Sequence, residues 1–324
     1  MLNIIKEEGE YKTLEGTIPS SDKEHDLHLL VWEPKKKARA IVQISHGMTE
    51  YVGRFEGLAV FLAKEGFVVI GNDHLGHGKS TKVKEELGYI GAGKSKSLLE
   101  DLREVSLYIK KLYPTLPLVL FGHSMGSFLA RSYAMTYPKE IEGLILSGTG
   151  YQPKPLLKTA RALAFLIGKI KGDFYRSEFF KRVAFAGYLS RIKNPKTAND
   201  WLTKDKEIVE AYNKDAYCNY TFTMNGYQTL LEVIDYIQKR ANIAKIRKDL
   251  PIYFIAGKED PVGNYGLGVK RVYESYKKAG IKDIDLKLYA NDRHELTNEL
   301  DKEEVFADIR KWVEKFLEKR ADKG

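Results

Sequence analysis

Leu118-Val119-Leu120-Phe121-Gly122-His123-Ser124-Met125-Gly126 is the stretch on which the fold turns. Four apolar residues in a row suit a strand buried on both faces, as a parallel sheet requires. They run into a Gly-x-Ser-x-Gly pentapeptide, and a helical pattern at 127–137 runs out of it. Strand, tight turn and helix in that order lift a serine hydroxyl above the carboxyl edge of a sheet. The flanking positions must then lack side chains that would collide across the turn, and Gly122 and Gly126 meet that need.

Other short apolar runs follow the same rule, at 40–44, 67–70, 144–146, 252–255 and 285–289. Helical patterns separate them, at 55–65, 98–112 and 269–279, and a last helix repeats Val305, Ile309, Trp312, Val313 and Phe316 on one face. Alternating strand and helix predicts an α/β fold with a doubly wound, mainly parallel sheet. The segment 27–32 reads as an antiparallel strand at the sheet edge. After Gly150 the rhythm breaks. Residues 151–227 show no buried strand, only helical patterns at 156–170 and 179–190, and the segment is too long for a loop. It is expected to be a helical lid inserted into a core formed by 1–150 and 228–324.

With 324 residues, 43% hydrophobic and 30% charged, the chain has the composition of a folded α/β domain with one insertion. Lysines and arginines outnumber acids by 53 to 44, a net +9, but they read as scattered among the acids. No basic block carries interleaved aromatics, which argues against nucleic acid. Attraction to anionic membranes or amphiphiles is the better use of the excess. Cys218 is the only cysteine, so there is neither an intramolecular disulfide nor a thiolate metal cluster, as suits a reducing compartment. Residues 1–10 carry Lys6, Glu7, Glu8 and Glu10 where a secretory signal needs an apolar core, and no apolar run is long enough to span a bilayer. The expected location is the cytoplasm.

A serine hydroxyl is a poor nucleophile and needs a base held by an acid. On a fold with this elbow the three follow in the order serine, acid, histidine. Six of the seven histidines (His25, His28, His46, His74, His77 and His123) precede or adjoin Ser124, which leaves His294 as the base. Asp260 is the chosen acid. It follows the strand at 252–255 and the turn Gly257-Lys258-Glu259, where open α/β sheets build their sites. Glu259 is its rival; Asp283, Asp285 and Asp292 read as strand-edge or loop charges. An oxyanion needs two backbone N–H donors: Met125, after the nucleophile, and Met48, in the loop Ser45-His46-Gly47-Met48. His46 reads as a loop-structuring residue. Asp73-His74-Leu75-Gly76-His77 has metal-like spacing but no further ligand set. Its acid and histidines are expected to tie down a glycine-rich turn, and neither a metal nor an organic cofactor is implied.

Together these residues resemble the monoacylglycerol lipase and lysophospholipase family of α/β-hydrolases, grouped with serine aminopeptidases. The marks are His46-Gly47-Met48 with Glu50 and Arg54, Asp73 to Ser80, Gly122 to Gly126, Asp260-Pro261-Val262 and Arg293-His294-Glu295-Leu296 with Asn298-Glu299. Trp201-Leu202-Thr203 and the stretch 215–223 extend the likeness into the insertion, while Ser127 departs from the usual second glycine. The resemblance implies an α/β-hydrolase fold and ester hydrolysis of single-chain glycerolipids. It assigns Ser124, Asp260 and His294 as triad and Met48 and Met125 as oxyanion donors. The alternative is an amide, thioester or aryl-ester hydrolase with the same triad. The apolar helical face Leu156, Leu157, Ala160, Leu163, Ala164, Ile167 and Ile170, flanked by Lys158, Arg161, Lys169 and Lys171, reads equally as a membrane or micelle contact or as a helix packed on the core.

Overall fold

The apolar runs become the middle of one sheet. The computed structural model describes residues 2–321, so residues 1 and 322–324 of the expected core lie outside the described residues. The strands are β1 (Asn3–Glu7), β2 (Tyr11–Pro19), β3 (Asp26–Pro34), β4 (Ala40–Ser45), β5 (Phe67–Asn72), β6 (Leu118–His123), β7 (Gly143–Ser147), β8 (Ile252–Gly257) and β9 (Ile284–Tyr289). Their spatial order is β1-β2-β3-β5-β4-β6-β7-β8-β9. From β5 to β9 all pairs are parallel, and β1, β2 and β3 pair antiparallel at one end.

Because strand side chains alternate, neighbours such as Leu120 and Phe121 serve opposite layers. Leu118, Leu120, Leu144 and Leu146 pack with helices α2 (Lys94–Leu112), α3 (Met125–Thr136) and α9 (Leu267–Lys278). Val119, Phe121, Ile145 and Tyr253 pack with α1 (Glu56–Lys64) and α10 (Lys302–Ala321) on the other face. Helices on both faces of a mainly parallel sheet are the doubly wound α/β architecture expected from the sequence.

The strand expected at 27–32 is antiparallel, but it is not the edge. β3 is third from that end, because β2 pairs along its whole length and β1 pairs with β2. Every residue of β1 is exposed, and β2 mixes Lys12, Glu15 and Thr17 with its buried Tyr11, Thr13 and Leu14. Strands half in water show no continuous apolar run.

Between β7 and β8 lie only helices: α4 (Lys154–Lys171), α5 (Glu178–Ala184), α6 (Lys206–Lys214), α7 (Met224–Ile237) and α8 (Arg240–Ile243). The boundary expected at 227 falls inside α7. That helix starts at Thr223, whose hydroxyl accepts from the Gly226 N–H at 3.1 Å, and it buries Val233, Ile234 and Ile237 in the layer of α3.

Phe121 is fully buried with its ring 6.1 Å from that of Phe55. Phe121→Ala is expected to cost about 3 to 5 kcal/mol through the cavity it opens. Urea denaturation reads this as a lower midpoint at unchanged slope.

Candidate active site

The elbow is as tight as its glycines imply. Ser124 sits at φ 52° and ψ −120°, a backbone conformation costly for any residue with a side chain. Its N–H donates to the Ser147 carbonyl at 2.9 Å, and its own carbonyl accepts from the Ser127 N–H and hydroxyl. A β-carbon on Gly126 would strike the Ser45 and His46 carbonyl oxygens, and one on Gly122 would lie 2.8 Å from the Ala130 β-carbon. The serine at the departure position, Ser127, therefore fits and adds a hydrogen bond.

Met125 is the first residue of α3, so its N–H is among the helix-end donors that lack an intrahelical acceptor. The loop after β4 folds over the elbow. A β-carbon on Gly47 would lie 3.1 Å from that of Ser124 and would press on Glu50 Oε1. The N–H groups of Met48 and Met125 have no hydrogen-bond partner among the described residues, and both residues line the same cavity as Ser124. That cavity, of about 630 Å³, also receives His123, His294 and Glu295, and most of its wall is apolar.

His294 is buried and lines the same cavity as Ser124, to which no hydrogen bond joins it among the described residues; its Nδ1 lies 3.0 Å from Oδ2 of the fully buried Asp260. The other Asp260 oxygen accepts the Val262 N–H at 2.8 Å. Glu259 points outward and pairs with Lys204 at 2.8 Å; Asp283 and Asp285 pair with Lys319 and Lys315. Asp292 is a buried carboxyl pushed up to about 7 by burial and by the neighbouring Asp301 and Glu299. Of the five acids, Asp260 alone pairs with His294.

Five histidines are buried in the loops around the elbow, two of them, His123 and His294, lining the cavity, and their electrostatics separate them. Burial lowers His46 and His123 well below the usual value, and it lowers His74 to about 3 and His77 to about 4. His46 Nδ1 donates to the Gly47 carbonyl at 2.8 Å, while its Nε2 accepts the His74 N–H at 2.9 Å, which fixes a neutral tautomer. His74 Nε2 meets Ser45 Oγ at 3.0 Å, and His77 Nδ1 donates to the Leu75 carbonyl. Asp73 accepts the Val52 and Lys79 N–H groups and meets His28 Nδ1. These side chains hold turns together, and among the described residues no group of three acids, histidines or cysteines is spaced for a metal. For His294, burial again opposes protonation, but the Asp260 carboxylate, helped by Glu295 and Glu50, outweighs it and raises the pKa.

Two features carried family marks in the sequence but no legible role. Residues 200–203 of the insertion clamp the His294 loop. Arg293 donates to the Asp200 and Thr203 carbonyls, the Glu295 N–H donates to the Leu202 carbonyl, and the Trp201 ring lies 5.1 Å from the His294 ring. Glu50, Arg54 and Glu295 form a buried chain. The Gly47 N–H donates to Glu50, and Arg54 joins Glu50 (3.4 Å) to Glu295 (2.5 Å). Burial and the Glu295 carboxylate push Glu50 up to about 7, against the pull of Arg54. The signal for such a chain was present only as charged residues at positions that prove to be buried.

The sheet, its elbow and the cavity above its carboxyl edge are those of an α/β-hydrolase. The chain belongs to the family described as serine aminopeptidase, S33, whose model matches residues 36–301. It is 26% identical over 291 residues to a monoacylglycerol lipase of Mycolicibacterium smegmatis, covering 87% of this chain and 91% of the relative. It is also 26% identical over 285 residues to a monoglyceride lipase of Rattus norvegicus, covering 87% and 84%. A thermostable carboxyl esterase from Bacillus coagulans, solved in complex with glycerol, superposes with a TM-score of 0.88 at 30% identity, covering 94% of this chain and 99% of that one. The chain is a carboxylic ester hydrolase similar to monoacylglycerol lipases.

Glu50→Ala removes the acceptor of the Gly47 N–H and one of the two partners of buried Arg54. A loss of roughly 3 kcal/mol in urea unfolding is expected. Glu50→Gln, whose amide oxygen still accepts from Gly47, is expected to lose less.

Proposed function

We propose that this enzyme hydrolyses single-chain acylglycerols or lysophospholipids through an acyl-enzyme on Ser124. The observation that carries this reading is His294, pinned between buried Asp260 and the cavity that holds Ser124. In this reading Asp260 holds the Nδ1–H tautomer and leaves Nε2, buried and without a partner among the described residues, to act as base. His294 takes the Ser124 proton as the oxygen attacks the ester carbonyl, and the N–H groups of Met48 and Met125 hold the oxyanion. The alcohol leaves with the proton from His294. Water, deprotonated by the same ring, then attacks the acyl-enzyme and releases the fatty acid and Ser124. No metal or organic cofactor enters the cycle.

The apolar wall supports a long acyl chain as the acid part, and two relatives are named for monoacylglycerol or monoglyceride. The substrate is then an amphiphile drawn from a micelle or membrane, which the insertion contacts. A reducing compartment, the cytoplasm, suits the buried, free Cys218.

A fluorophosphonate probe is expected to label the wild type and not Ser124→Ala, with kcat falling about 10⁶-fold in the variant. Ranking kcat/KM over monoglycerides and lysophospholipids of graded length, p-nitrophenyl butyrate and aminoacyl anilides tests the substrate. Preference for an anilide would replace the lipid reading with an amide one.

His294 works as a base only when neutral, so kcat/KM holds above its pKa and declines as pH falls through it. The Asp260 carboxylate raises that pKa, so the acid limb is expected above the ordinary value of about 6.5. Asp260→Asn is expected to shift the limb downward and to cut kcat by about 10⁴. A limb unmoved by the substitution would remove Asp260 from the triad.

A further inference from the structure

Thr49 is held in a backbone conformation that its own side chain disfavours. Its φ is +56°, and among the described residues it alone is β-branched with a positive φ. The residue is buried, and it stands between Met48 and Glu50 in the loop after β4. Strain of this kind persists only where the surroundings impose the conformation. Two contacts do so here. The Thr49 hydroxyl donates to the Met48 carbonyl at 2.7 Å, and its oxygen lies 2.6 Å from the hydroxyl of Tyr212.

The direction of these bonds follows from what each group can give. A carbonyl only accepts, so the single Thr49 hydroxyl proton goes to Met48, and Tyr212 is the donor to Thr49. Burial raises the Tyr212 pKa well above the ordinary phenol value, so that donor keeps its proton through neutral pH. Tyr212 is itself firmly seated on α6, 163 residues along the chain from Thr49. Its ring packs with Trp201, Leu202 and Cys218, and the Arg54 guanidinium lies 4.8 Å from the ring centre. Arg54 is fixed in turn by Glu50 and Glu295. On the other side of Met48, the Gly47 N–H donates to Glu50. The peptide that offers the Met48 N–H therefore hangs between two anchors, Glu50 through Gly47 and Tyr212 through Thr49.

We propose that Tyr212 is a positioning residue for the oxyanion hole: acting through Thr49, it holds the Met48 N–H in place for the charge that develops on the substrate. The proposal rests on the reading of Met48 as an oxyanion donor. Without the tyrosine hydroxyl, Thr49 is free to leave the left-handed region by turning the Met48–Thr49 peptide. The adjoining Gly47–Met48 peptide then loses one of its two anchors. A donor out of line meets the oxyanion poorly, whereas the ground-state ester, bound along the apolar wall, is little affected. The insertion thereby serves the chemistry itself, in addition to shaping the cavity.

Tyr212→Phe removes one oxygen and keeps the ring beside Arg54. It is expected to lower kcat by about ten-fold, short of the roughly 10²- to 10³-fold loss of a whole donor, with KM within about two-fold. The fall in kcat/KM should be the same for a monoglyceride and for p-nitrophenyl butyrate, because both pass through the oxyanion. An alkyl trifluoromethyl ketone, whose adduct with Ser124 carries that charge, should inhibit the variant more weakly by a similar factor, which a merely structural bond would not produce. Thr49→Ala should lose at least as much, and Thr49→Ser should recover most of it. Adding Tyr212→Phe to Thr49→Ala should cost less than about two-fold more, since the tyrosine acts through that hydroxyl. Urea unfolding checks that each variant is folded under assay conditions. Tyr212→Phe with undiminished kcat overturns the proposal, as does full additivity of the two substitutions. So does a loss confined to the monoglyceride, which would make Tyr212 a contact of the alcohol part. A wild type that binds the trifluoromethyl ketone no more tightly than the matching methyl ketone would instead strike the oxyanion reading, and the proposal with it.

Discussion

The contact between Asp260 and His294 is the constraint around which the site is assembled. A carboxylate with no exposed surface is costly unless its oxygens are matched, and Asp260 meets the Val262 N–H with one and the imidazole with the other. That pairing joins the loop after β8 to the loop after β9. Gly257 makes the approach feasible, since a β-carbon there would run into the Asp292 and Arg293 carbonyls. Take the carboxylate away and His294 would sit with the other buried histidines, whose rings burial keeps neutral well below physiological pH.

On the opposite wall, backbone order depends on buried charge. Glu50 fixes the Gly47 N–H beside Ser124, and Arg54 carries the linkage to Glu295, next in sequence to His294. The loop that offers Met48 and the loop that carries the imidazole are therefore one connected unit. A charge chain of this kind gives little net stability over an apolar filling, but it fixes geometry. Fixed geometry is what the proposed pair of N–H donors, Met48 and Met125, would need to meet charge that develops only during reaction.

Most of this was legible from the chain because the constraints are local or exclusive. A strand buried on both faces must be apolar throughout, so β4 to β8 announced themselves. Elimination among seven histidines pointed to His294 without coordinates, and the structure pairs that ring with Asp260. Strands β1 and β2 escaped because one side faces water and their polar residues mask the period of two. Helix α7 was divided at 227 because nothing in its sequence says that its second half joins the layer of α3. The clamp by residues 200–203 was hidden for a different reason: it works through backbone carbonyls, which every sequence possesses. The clustering of positive charge at 154–196, eleven lysines and arginines against two acids, was open to counting, although the charges read at first as scattered.

The roof over the cavity has unequal halves. The half built from α6 and residues 200–215 is stitched to the floor. Tyr212 meets Thr49 at 2.6 Å, Tyr51 donates to Asp215 at 2.8 Å, and Thr203 donates to Glu299 at 2.9 Å. The half built from α4 and α5 has, among the described residues, no hydrogen bond to the loops that carry Ser124 or His294; it is tied to α7 by the Arg161–Asp235 ion pair (2.8 Å) and by the Gln228 amide, which donates to the Ala164 carbonyl at 3.1 Å, and it packs on Met125. Displacing the half built from α4 and α5 would therefore break fewer links to the loops around Ser124 and His294 than displacing the other half.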